Sequence, residues 1–137
     1  MQEKSGPKLA FREELPDACP PPEAKAIALS GVYRFLPSAN PKNEHFDSYC
    51  LLKGPKPPPT VTLCQWSACS LFVTREKAVA KIKLQKLRSR FSHFAILDVP
   101  ANAGYSESGQ NGHLSLWMLK HFDPVTAILK IEEIGDV

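Results

Sequence analysis

Apolar and polar residues alternate most clearly in the first third of the chain. From Ala26 to Leu36, residues Ile27, Leu29, Gly31, Tyr33 and Phe35 recur at every second position, which predicts a half-buried strand that Pro37 ends. Thr60 to Val73 is dense in β-branched and aromatic residues and predicts one bent strand, or two short strands joined near Ser67-Ala68. Thr74 is placed to cap a helix that starts at Arg75 and runs to about Lys86, with Val79 and Ile82 turned inward and Glu76 set against the dipole. His93 to Val99 is an apolar run closed by Pro100, the pattern of a buried strand. HLSLWML, from His113, puts His113, Ser115 and Trp117 on one face of a strand and Leu114, Leu116 and Met118 on the other. Ala127 to Ile134 supplies the last strand.

The order of these elements predicts an α+β fold, a single small domain with a mostly antiparallel sheet packed against one or two helices. Residues 1–25, with Pro7, Pro16 and Pro20-Pro21-Pro22, read as a proline-rich N-terminal arm that Phe11 and Leu15 pin to the domain of residues 26–137. Two loops stand out. Ser38 to Pro59 is long for a connection inside one domain, and Asn102 to Gly112 reads as a glycine- and serine-rich loop that offers Tyr105 at the surface.

Composition narrows the function classes. With 137 residues, 43% hydrophobic and 23% charged, the chain is sized for one core. Its net charge of +3 is too small to demand a polyanionic partner. Basic residues do gather between Arg75 and Arg90, against an acidic end made by Glu132, Glu133 and Asp136, and a solvated helix face accounts for the basic cluster. Nucleic-acid binding through Lys77, Lys81, Lys83, Lys86, Arg88 and Arg90 is the sharper alternative. The apolar runs are too short to span a bilayer and the N-terminus lacks a signal-peptide core, so no membrane association and a cytoplasmic location are expected. Cys19, Cys50, Cys64 and Cys69 are then expected to be reduced thiols, and Cys64 with Cys69 lacks the second close pair that a zinc site uses, so no metal is expected.

No phosphate-binding glycine motif and no nucleophile elbow occurs. Among His45, His93, His113 and His121, His113 follows the glycine-rich loop at a strand entrance and is the candidate general base, whereas His93 reads as structural. Cys64 and Cys69 read as small core residues, and Trp66 and Trp117 as core or rim aromatics. Arg34 follows Tyr33 in an apolar strand, and its donor fork suits an ion pair or an anionic ligand.

VYRF at Val32–Phe35 and CSLFVTREKAVA at Cys69–Ala80 resemble the corresponding pieces of ADP-ribosyltransferase-like domains, including RES-type toxins. The resemblance spans much of the chain in element order and scattered positions in identity. It implies NAD as cofactor, Arg34 on the cofactor phosphate, Ser70 or Thr74 at the nicotinamide ribose pocket and a late catalytic glutamate. In place of the family's Glu-x-Glu turn the chain has the adjacent Glu132-Glu133, which a strand directs to opposite faces. The candidate catalytic set is therefore Arg34, His113 and Glu133, and the candidate cofactor contacts are Arg34, Ser70, Thr74 and Tyr105. The reading from the residues themselves is an accessory module that binds a protein or small-molecule ligand through the two loops, with an NAD-using enzyme as the competing reading.

Overall fold

A computed structural model describes residues 10–135. Arm residues before Ala10, Pro7 included, and Asp136 of the acidic end lie outside the described residues. Strands β1 (Leu29–Leu36), β2 (Cys69–Phe72), β3 (His93–Val99), β4 (Gly104–Ser108), β5 (His113–Met118) and β6 (Ile128–Glu133) form one sheet in the order β4-β5-β2-β1-β3-β6, with all neighbours antiparallel. Helices α1 (Tyr49–Lys53) and α2 (Leu63–Trp66) are single turns between β1 and β2, and α3 (Arg75–Leu84) follows β2. The fold is α+β, as the element order implies. No helix among the described residues is long and apolar enough to cross a membrane.

The sheet is buried on both faces. On one face, Phe35, Phe72 and Phe94 pack beneath Ala78 and Ile82 of α3, with Phe35 and Phe72 stacked at 5.2 Å between centroids. Phe94 is fully buried there, and truncating such a ring to alanine costs about 3–5 kcal/mol. On the other face, Val32, Leu36, Leu71, Leu97 and Leu116 form a second cluster that includes Phe46 from the connection after β1. The strict alternation expected of β1 is broken at Gly31, where φ is +62° and the register against β3 shifts between Leu29 and Val32. An extra residue in a strand turns the following side chains to the opposite face. Leu29 and Val32 consequently share one cluster, while Tyr33 and Phe35 belong to the other.

The described part of the arm packs against the sheet and the connection after β1. Lys25 bridges Ser106 on the free edge of β4, with both backbone hydrogen bonds at 2.9 Å, and Phe11 bridges Leu119 just beyond β5. The bridge occupies the middle of that edge, one way of blunting its pairing with another chain. Glu13 accepts hydrogen bonds from the Ser48 backbone N–H and hydroxyl, and Arg12 pairs with Asp47 at 2.7 Å, so the arm also holds the start of α1.

Three expectations are corrected. Cys19 and Cys64 are joined in a disulfide with Cα atoms 5.6 Å apart, so the reading of four reduced thiols holds only for Cys50 and Cys69. The arm folds back to α2 and brings together two residues 45 positions apart, a proximity that linear spacing does not reveal. The bond removes the support that reduced cysteines lent to a reducing compartment. Second, Leu63–Trp66 is helical, because Thr62 and Gln65 form a reciprocal capping box, and only Cys69–Phe72 of that segment is strand. Third, Gly104–Ser108, read as loop, is edge strand β4. It is joined to β5 through Asn111-Gly112, whose φ values of 56° and 73° suit the tight hairpin turn that this dipeptide favours.

Candidate functional site: a polar cleft between two loops

Helix α3 covers Phe72, and α2 covers Trp117, whose indole N–H donates to the Cys64 carbonyl at 2.9 Å. Between these two covers a polar row crosses the sheet. The register pairs Ser70 of β2 with Ser115 of β5, and Ser115 with Glu107 of β4, so the three side chains share one face. This row floors a cleft of about 810 Å³, within the ordinary range for small-molecule sites. Both loops singled out in the sequence reach it: Tyr49, Lys53 and Pro58 line one side, and Ser108, Gly109 and Gln110 the other.

His113 enters β5 directly after the hairpin turn and sits diagonally across from Ser70. Its Nε2 lies 3.0 Å from the Ser70 hydroxyl, and its ring packs edge-on against Phe72 at 5.5 Å between centroids. Gly112 lets the hairpin turn pack against the first turn of α3, since a Cβ there would lie 2.5 Å from Cγ of Lys77. Burial lowers the imidazole pKa, and the charges of Lys81 and Arg34 lower it further. The ring is therefore neutral at pH 7, with one nitrogen donating and one accepting. Among the described residues, Nδ1 of His113 and the Ser115 hydroxyl have no hydrogen-bond partner. Ser115 is only 7% exposed, and a hydroxyl so enclosed ordinarily has one.

The walls combine rings and cations. Tyr49 and Trp66 lie 5.1 Å apart with planes tilted by 31°, and the Trp66 indole N–H is fixed by the Gly54 carbonyl at 2.8 Å. The Lys53 ammonium sits 4.9 Å from the Tyr49 ring centre, and Lys81 of α3 faces it from the other wall. Partial burial, with the charges of Arg90 and Lys81, lowers the Lys53 pKa.

The remaining candidates are distributed differently. Arg34 is buried behind Ser70: it donates to the carbonyls of His45 from Nε and Nη2, of Asp47 from Nη2 and of Ser70 from Nη1, all at 2.9–3.0 Å. Its partners are backbone carbonyls, neither a carboxylate nor an open anion site. Thr74 caps α3 by accepting from the Lys77 N–H, outside the cleft. Tyr105 packs near Phe11 of the arm at 6.2 Å between centroids. Glu133 pairs with His93 on edge strand β6, four strands from β5 in the sheet order, roughly 19 Å away, and on the opposite face from His113. Glu132 is held by Arg75 at 2.5 Å. Ser70 and His113 thus meet in the cleft, Arg34 does not line it and reaches only the Ser70 backbone carbonyl, and Glu133, Thr74 and Tyr105 are not with them.

Sequence reasoning missed Glu107, Ser115, Lys53 and Tyr49 as site residues, and it considered Lys81 only as part of a basic nucleic-acid face. Two signals were available for the floor, namely a serine inside each of the apolar strands CSLF and HLSLWM, and the Asn-Gly hairpin that sets Glu107 of β4 opposite Ser115 of β5. The walls come from distant segments and left no such sign. Among the described residues, no three His, Cys, Asp or Glu side chains converge as metal ligands would. Comparison with known proteins finds no family model, no curated protein and no solved structure that matches the chain, so the site is interpreted from its own geometry.

Proposed function

We propose that this domain is a binding module for a small polar molecule, held in the cleft between the Ser38–Pro59 connection and the β4–β5 hairpin. The supporting observation is Ser115, an enclosed hydroxyl without a protein partner on the floor of a cleft large enough for an organic ligand. A ligand that takes over this hydroxyl from the water of the open cleft gains about 0.5–1.5 kcal/mol net for the hydrogen bond. The unpaired Nδ1 of His113 beside it adds a second polar group to the same floor. Binding, more than NAD turnover, is favoured because the Arg34 guanidinium is filled by carbonyls and Glu133 lies across the sheet.

The test is a screen of small polar compounds by ligand-detected NMR on the wild-type domain and on Ser115→Val, with NAD included and nicotinamide release followed. Compounds that bind wild type and lose at least about tenfold in affinity with Ser115→Val support the reading, a loss equivalent to about 1.4 kcal/mol. Nicotinamide release, or binding indifferent to Ser115, defeats it.

A further inference from the structure

The cleft carries an imbalance of charge that its fold does not use. Lys53 and Lys81 stand on its two walls, and Glu107 is the one carboxylate among its described lining residues. Among the described residues neither lysine has an ion-pair partner, since the pairs present are Arg12 with Asp47 and Arg75 with Glu132. Arg90 adds to the positive field at Lys53, and the Arg34 guanidinium adds to it at His113 from behind Ser70. Clefts lined by one sign of charge concentrate ligands of the other sign.

The second feature is the aromatic wall. Tyr49 and Trp66 are mutually packed and the Trp66 indole is anchored, so they present apolar ring surface at fixed positions next to Lys53. Tyr49 is positioned by Ser48, which is buried and bonded to Glu13 of the arm. A flat ring laid against the Trp66 indole and the edge of Tyr49, whose face Lys53 covers, gains area burial, while a negative group attached to it points between the lysines and the serine hydroxyls.

We infer that the ligand class is an aromatic oxyanion, a flat ring bearing a phosphate or carboxylate group, with Lys53 and Lys81 on the anion and Tyr49 and Trp66 against the ring. This rests on the cleft being the binding site. The two anionic groups share the recognition chemistry, and the test separates them: phenyl phosphate, benzoate, phenol and inorganic phosphate are titrated by calorimetry into wild type, Lys53→Gln, Lys81→Gln and Tyr49→Ala.

Phenyl phosphate or benzoate is expected to bind wild type, with phenol and inorganic phosphate each weaker by about tenfold or more, because each lacks one of the two recognised parts. Each lysine substitution is expected to weaken the anionic probe by about five- to tenfold, with a smaller effect at high salt, and to leave phenol unchanged. Tyr49→Ala weakens phenyl phosphate and phenol together. The inference is overturned if phenol binds as tightly as the anions, if the lysine variants bind normally, or if no anionic probe binds. In the first and third cases, neutral compounds that still depend on Ser115 would leave the cleft itself standing as the site.

Discussion

Replacing Arg34 separates a residue that holds the fold from one that holds a ligand. Arg34 is 7% exposed, and its guanidinium makes four hydrogen bonds to three carbonyls, tying the turn that ends at Asp47 to the backbone of β2. Hydrogen bonds from a charged donor contribute about 1.5–3 kcal/mol each when considered singly. The full sum does not apply, because the space beside Arg34, lined also by His45 and Asp47, lets water reach some of the released carbonyls. Arg34→Met should therefore cost about 3–5 kcal/mol, a large part of the 5–15 kcal/mol typical of a domain, and lower Tm by roughly 10–20 °C. Arg34→Lys retains the charge but loses the planar fork, so about half of the loss should remain. Chemical denaturation of the three proteins at pH 7.5, with the slope m compared to confirm two-state unfolding, gives the numbers. A loss below about 1 kcal/mol for Arg34→Met would refute the argument, because the donors would then be free to serve a ligand.

Two further outcomes follow from the same contacts. Replacing both Cys19 and Cys64 with serine opens a loop closed across 45 positions, for which chain entropy gives a destabilisation of about 4 kcal/mol as an upper figure. The arm should stay docked through Arg12–Asp47 and Lys25–Ser106, so the chemical shifts of those residues should persist while the denaturation midpoint falls, and an unchanged midpoint would contradict the bond's role. The pKa values of His113 and His45 are both lowered in the fold, in each case chiefly by burial. The unfolded chain then takes up protons first, so stability is complete above the unfolded value of about 6.5 and falls as pH drops through it toward the folded values. Unfolding free energies measured between pH 7.5 and 5.5 should slope less for His113→Asn and for His45→Asn than for wild type, and equal slopes would show that neither burial matters.

The elements whose signals are local were legible. Thr74 does cap α3, and β3, β5 and β6 lie close to where apolar runs and turn residues put them. The failures have identifiable causes. β4 is five residues of low strand propensity, and it is a strand because the Asn111-Gly112 turn presents it to β5. Thr62 and Gln65 outweighed the strand propensity of their neighbours by satisfying the ends of a helical turn, a local signal that was present and unweighed. In β1 a single positive φ at Gly31 exchanged the two faces, which a period-two pattern cannot register. The site was half legible. Two loops and His113 were identified, but Arg34 proved to be bonded inward, and the lysines and rings of the walls meet only through the placement of α1, α2 and α3 around the sheet.

The most direct test of the cleft as the site is a titration of the isotopically labelled domain with phenyl phosphate, read residue by residue from backbone and imidazole signals. Saturable shifts are expected at Ser70, Glu107 to Gln110, His113 and Ser115, with the Trp66 indole among them and β6 silent. Shifts confined to β6 or to the arm, or scattered over the basic face of α3 without saturation, would contradict the cleft as the site.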